Sequence, residues 1–150
     1  MNSKTKAGWI GIAVAIVGTF EGLRTVAYRD PVGIPTICFG ETKGVKMGDR
    51  ATLAECEAML ADSLQIANRQ VSQCTDVPLN DNQRAALVSF TYNVGGAAYC
   101  TSTLVRKLNA GQYGAVCGEL AKWKYAKGIP LPGLARRRAA ECDLFMGRVT

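Results

Sequence analysis

"EGLRTVAYRDPVGIPTICFG", running from Glu21 to Gly40, decides how the rest of the chain is read. It sets two carboxylates, Glu21 and Asp30, nine residues apart, with Thr36 six residues beyond the second. Pro31, Gly33 and Pro35 break the stretch, and short β-type pieces such as "TICF" flank the breaks, so it reads as a small hairpin lobe. Glu21 follows an apolar run and would be partly desolvated, the environment of an acid catalyst. Asp30 falls in a Pro/Gly-rich turn with more solvent, and the hydroxyl of Thr36 can both donate to and accept from a water. The plain alternative is a helix-end carboxylate, a turn carboxylate and a strand threonine.

Beyond the hairpin the patterning turns helical. Thr52 with Glu55 forms a capping box that opens a helix with Leu53, Met59, Leu60, Leu64, Ile66 and Val71 as apolar positions, ending near Cys74. Asn80 with Gln83 repeats the signal, and "AALVSFTYNVGG" follows as the expected core helix, stopped by its glycines. "TSTLVRKLNAG" offers Thr101 to Thr103 as caps and Gly111 as a stop. "YGAVCGELAKWKYAKG" reads as another helical run, and "GLARRRAAECDLFMG" closes the chain. A small β lobe joined to a helical body is an α+β layout.

Composition narrows the chemistry. With 150 residues, 48% of them hydrophobic, there is material for one well-filled core and none for a second large domain. Histidine is absent altogether, which removes Ser-His-Asp and Cys-His hydrolysis and His-rich zinc sites. Carboxylates are then the leading acid and base groups, and glycoside hydrolysis needs nothing more. No metal and no cofactor is called for. The net charge of +6 favours an anionic partner, either nucleic acid or the bacterial wall. No basic run interleaved with aromatics and no DNA-reading signature is present, so nucleic acid is not expected.

Six cysteines, Cys38, Cys56, Cys74, Cys100, Cys117 and Cys142, show no C-x-x-C spacing and read as disulfides formed in an oxidising compartment such as the periplasm. Fifteen pairings are open to them, and spacing alone selects none. Export needs a signal, and the only candidate is "MNSKTKAGWIGIAVAIVGTF". Lys4 and Lys6 precede fourteen uncharged residues, Ala7 to Phe20, six of which are Gly or Ala. So weakly apolar a segment suits an uncleaved signal anchor that can later leave the bilayer. A plain core helix and a cleaved signal are the alternatives. Residues 1–20 are accordingly taken as the anchor-like segment and 21–150 as the catalytic domain.

Together with "VPLNDNQRAALVSFTYNVG" (Val77 to Gly95), "STLVRKLNAG" (Ser102 to Gly111) and "PLPGLARRRAAECDLF" (Pro130 to Phe145), the quoted stretch resembles the successive motifs of the phage-type lysozymes, the endolysins of glycoside hydrolase family 24. The resemblance covers nearly all of residues 20–146. It implies a lysozyme-like fold with a cleft between a β-hairpin lobe and a larger helical lobe. It also implies cleavage of the β-1,4 bond between N-acetylmuramic acid and N-acetylglucosamine in peptidoglycan, leading to host lysis. The family's Glu, Asp and Thr carry over onto Glu21 as general acid and onto Asp30 and Thr36 as handlers of the water. An inverting mechanism is implied, with carboxyl groups about 6.5–9.5 Å apart. Cysteines and an apolar segment joined directly to the acid resemble the signal-anchor-release subset, tethered to the inner membrane of the host and then freed into the periplasm. Relatives with cysteines in the same motifs imply Cys117 with Cys142 and Cys38 with Cys56, leaving Cys74 with Cys100.

Other residues have two readings each. One of Arg136, Arg137 and Arg138 would pair with Glu21 or meet the substrate's carboxylates, Arg137 being the candidate; a solvated helix face is the alternative. Tyr92 and Asn93 either face the cleft and bind an acetamido group or simply end their helix. Trp9 and Trp123 read as core. A monomer is expected. Rival functions are a lytic transglycosylase, for which Asp30 and Thr36 would have no task, and a non-catalytic wall-binding relative.

Overall fold

The computed structural model describes residues 3–148, with side chains from residue 8 onward; the side chains of Lys4 and Lys6, which the anchor reading invokes, lie outside the described residues. Helix α1 (Ser3–Glu21) leads into an antiparallel hairpin of β1 (Arg24–Arg29) and β2 (Pro35–Cys38). The helical body follows: α2 (Leu53–Cys74), α3 (Asp81–Val94), α4 (Gly96–Cys100), α5 (Thr103–Asn109), a short 3₁₀ turn over Tyr113–Ala115, and α6 (Val116–Leu120). A two-residue hairpin, β3 (Tyr125–Ala126) with β4 (Ile129–Pro130), precedes the closing helix α7 (Pro132–Phe145). The architecture is α+β.

Helix α3 is the centre. Ala85 through Thr91 are all buried, as in a helix surrounded on every side by its neighbours α1, α2 and α7. Both expected capping boxes are formed, Thr52 with Glu55 and Asn80 with Gln83. Gly95 closes α3, donating its N–H to the Thr91 carbonyl at 2.8 Å. Phe90 of α3 meets Tyr99 and Trp123 edge-to-face at 6.4 and 5.3 Å between centroids, and Trp9 also packs against the core.

Two expectations are corrected, and an open alternative is decided. On α2 the buried stripe is Cys56, Leu60, Leu64, Ala67 and Val71, spaced three or four apart; Leu53, Met59 and Ile66 fall off that stripe and are exposed. The run after Tyr113 is helical only to Leu120, because Trp123 turns inward onto Phe90 and the chain then reverses. Lys127 and Gly128, both at positive φ, make that reversal a two-residue hairpin turn. Of the three arginines only Arg136 is solvated, Arg137 and Arg138 being buried, so the solvated-face alternative holds for Arg136 alone.

The α1 segment packs as a helix on the body through Ala13 and Val17, while Gly11, Ala15 and Thr19, four residues apart, form its outer face. Helical geometry breaks at Gly8, whose φ of 30° an L side chain rarely adopts. No described helix is long and apolar enough to cross a membrane. Disulfides join Cys38 to Cys56, Cys74 to Cys100 and Cys117 to Cys142, the pairs the resemblance implies. The first clamps the hairpin to α2, the second α2 to α4, the third α6 to α7.

Candidate active site

Glu21 is the last residue of α1, and Gly22 at positive φ turns the chain into β1. Its side chain is one quarter exposed, and Oε2 accepts a hydrogen bond from Arg137 Nη1 at 2.6 Å. A β-carbon on Gly40 would lie 4.0 Å from Oε1, so the carboxyl sits between α7 and the end of the second strand. Gly40 has φ of 96°, a turn conformation that also leaves this side of the acid uncrowded.

Asp30 and Thr36 are locked to each other through one residue. Asp30 Oδ1 accepts from the backbone N–H groups of Val32 and Ile34 at 3.0 and 2.8 Å. That leaves Oδ2 without a protein donor among the described residues. Thr36, buried and opposite Tyr28 in the ladder, donates its hydroxyl hydrogen to the Ile34 carbonyl at 2.9 Å. Its oxygen can therefore only accept further. The turn's geometry thus presents a carboxylate oxygen and a hydroxyl oxygen, both as acceptors.

An open cleft of about 690 Å³ is lined by Glu21, Asn93, Arg136 and Arg137 with Phe20 and Leu134. Asp30 and Thr36 are not among its lining residues; they belong to the hairpin. Asn93 Oδ1 accepts from Arg138 Nη2 at 2.8 Å, which orients the amide and leaves its NH₂ free to donate. Tyr92 is half-buried, and burial, reinforced by the charges of Glu41 and Glu21, pushes its phenol up to about 12, so it is neutral at physiological pH.

Sequence reasoning missed Glu41, Glu141 and Ser89 around this centre. Glu41, one position past the opening stretch, accepts from Ser63 Oγ at 2.9 Å, and burial above all raises its carboxyl, with Glu21 and Asp62 adding to the effect. Its Oε2 is buried without a partner among the described residues. Glu141, fully buried, pairs with Arg138 Nε at 2.8 Å and accepts from Ser89 Oγ at 2.6 Å and Arg137 Nε at 3.3 Å. The spacing of Glu141 four and three residues after Arg137 and Arg138 was the available signal. Nothing in the local sequence marks Ser89, which reaches Glu141 from another helix.

A family model described as phage lysozyme matches residues 18–141. An SAR-endolysin of Pseudomonas phage phiKMV is 40% identical over 145 residues, covering 94% of this chain and 90% of the relative. An endolysin from Escherichia coli O157:H7 phage FAHEc1 superposes with a TM-score of 0.84 at 34% identity, over 91% of this chain and 92% of that one. The active form of the P1 phage endolysin Lyz gives a TM-score of 0.78 at 26% identity, over 99% and 95% of the two chains. Its secreted inactive form gives 0.52 at 27% identity, over 72% and 78%. The arrangement described is thus nearer to the active form.

Proposed function

The chain belongs to the phage lysozyme family and is an endolysin, a muramidase, and from that premise we propose which residues carry the cleavage of peptidoglycan. Glu21 is the general acid. Its Oε1 delivers a proton to the glycosidic oxygen between N-acetylmuramic acid and N-acetylglucosamine. Arg137, on Oε2, stabilises the carboxylate left behind. Asp30 Oδ2 accepts a proton from a water while Thr36 Oγ1 accepts its second O–H, which aims the water's oxygen at the anomeric carbon. That carbon loses its bond to the protonated leaving oxygen and gains one to the water, with inversion. Asn93 at the cleft wall donates to a substrate acetamido group; Tyr92, which is not among the residues lining the cleft, is the weaker candidate for the same task.

One observation carries this reading: the hairpin turn consumes Asp30 Oδ1 and the Thr36 hydrogen, leaving two acceptors of the kind that hold and activate a water. Glu21 stands apart from them on α1, against a guanidinium. Two carboxylates in such different surroundings divide naturally into acid and base.

We further infer that residues 1–20 first act as an uncleaved anchor in the inner membrane, from which the enzyme is released into the periplasm. The SAR-endolysin names of relatives and the small outer face of α1 support this. While the segment is held in a bilayer, Glu21 is withheld from the hairpin; once freed, it docks as α1.

Mass spectrometry of purified peptidoglycan digested by the full chain is the test. Reducing muramic acid ends are expected, lost in Glu21→Gln and Asp30→Asn. Anhydro ends would make the protein a lytic transglycosylase instead, and undiminished product from either variant would remove that residue from the mechanism. Proton NMR early in the digestion should show the α anomer first, as inversion requires.

A further inference from the structure

Helix α1 meets the body with small, smooth side chains, Ala13 and Val17 being the ones fully buried. Such a surface supplies contact area but little that is directional. Among the described residues, the side-chain hydrogen bond from α1 to the rest of the molecule is Arg137 to Glu21; Thr19 bonds only within its own helix. What sets the acid in place must therefore be sought behind Arg137.

All three guanidinium nitrogens of Arg137 are engaged. Nη1 donates to Glu21 Oε2, Nε to Glu141 Oε2 at 3.3 Å, and Nη2 to the Ser89 carbonyl at 3.2 Å and its hydroxyl at 3.4 Å. Ser89 Oγ donates in turn to Glu141 Oε2 at 2.6 Å. Arg138 completes the cluster, pairing with Glu141 and bonding Asn93. Formal charge is then informative. Without α1 this cluster sets two buried guanidiniums, Arg137 and Arg138, against one fully buried carboxylate, Glu141. With Glu21 docked the two charges of each sign balance.

We propose that Glu141 is a positioning residue for the reaction: with Ser89 it pre-sets Arg137, within a cluster left one positive charge in excess, as the receiver that captures Glu21 when α1 docks. This rests on the reading of Glu21 as the acid. An arginine held at Nε and Nη2 before the acid arrives loses little freedom on binding it. The excess charge gives the incoming carboxylate a direction that the small residues of α1 do not. Burial pushes the Glu141 carboxyl up, and Arg138, Ser89 and Arg137 oppose that, which is why the two arginines are needed for it to hold charge. The other titratable groups facing Glu21 are Glu41, after β2, and Tyr92, on α3. Glu41 carries the wrong sign to capture it, and Tyr92 is neutral.

The experiment measures kcat, KM and the pH profile on purified peptidoglycan for the full chain, Glu141→Gln, Ser89→Ala and Glu21→Gln. Glu141→Gln should lower kcat about tenfold with KM within about twofold, the pattern of a lost transition-state contribution. The alkaline limb of its profile should move to lower pH, because two guanidinium charges then act on the site with one counter-charge missing. Ser89→Ala should lower kcat severalfold in the same sense. A Glu141→Gln protein with a native near-UV spectrum and an unmoved pH profile overturns the proposal, as does a loss confined to KM. Where that variant does not fold, Ser89→Ala decides alone, and unchanged kcat and profile overturn it. Activity in Glu21→Gln would sink the acid assignment itself, a separate failure.

Discussion

A hydroxyl whose hydrogen is already committed to a carbonyl can only accept, and Thr36 stands in that position toward Ile34. Its contribution on this view is orientation of a water rather than proton transfer. Thr36→Val keeps the shape and β-branching of the side chain but removes the acceptor. We expect kcat to fall by about 10²-fold while thermal unfolding shifts by only a few degrees, because one intramolecular hydrogen bond is worth about 1 kcal/mol. Calorimetry alongside reducing-end release checks both; an inactive variant that also unfolds at low temperature would indicate a structural role. The neighbouring Arg24, stacked at 4.7 Å on the ring of Tyr28, belongs to the same hairpin and stiffens its first strand.

Among the elements, the short ones depend on what ties them down. Helices α5 and α6 are too brief to be stable alone, and Glu119 joins them, accepting from Lys107 at 2.8 Å and Lys122 at 3.0 Å. Those lysines, Lys107 foremost, hold its carboxyl below the usual range. A carboxyl lowered in the folded state stabilises the fold above its unfolded pKa, and the gain is lost as pH falls through the folded one. The melting temperature of the protein should therefore exceed that of Glu119→Gln at neutral pH, with the gap closing as pH drops below about 4. A gap independent of pH would show that packing, not charge, is what the substitution removes. The hairpin is tied differently, by the Cys38–Cys56 bridge, which spans 18 residues. Replacing both cysteines with serine should cost about 3 kcal/mol and lower activity further, since Thr36 lies two residues from the bridge. Chemical denaturation and the peptidoglycan assay together measure this.

At the scale of the whole molecule, the proposed anchoring asks α1 to serve two solvents. Its outer face of Gly11, Ala15 and Thr19 exposes little apolar surface to water when docked, and the same smallness makes it a weak occupant of lipid. Replacing Gly11 and Ala15 with leucine leaves the buried side untouched, so the docked fold should persist. In a bilayer the added side chains favour retention, and the membrane-bound fraction should rise about fivefold or more relative to the soluble periplasmic one. Fractionation of expressing cells reads this directly, and an unchanged distribution would show that the apolarity of this face does not govern release. Cys117–Cys142 and Cys74–Cys100 fasten the body independently of α1, so on the proposed release mechanism the body has its own framework before α1 docks.

What the sequence by itself determined is local or periodic. The Pro/Gly-broken hairpin, the two capping boxes, the apolar run of α3 and the spacing of Glu21, Asp30 and Thr36 all follow from interactions within a few residues, which a linear reading captures. The end of α6 escaped it because Trp123 is drawn to Phe90, thirty-three positions earlier, and tertiary packing overrides a weak helical preference. The pairing of Arg137 with Glu21 was among the sequence readings, but the burial of Arg137 and Arg138 around Glu141 was not. Charged residues on a helix default to solvent, and only the folded molecule sets Glu141, Ser89 and Glu21 around Arg137 so that burial becomes tolerable. Six cysteines advertised bridges, yet their pairing is a property of distance in space. Chemistry at short range was legible in the chain, whereas the charge balance around Glu21 exists only once three helices meet.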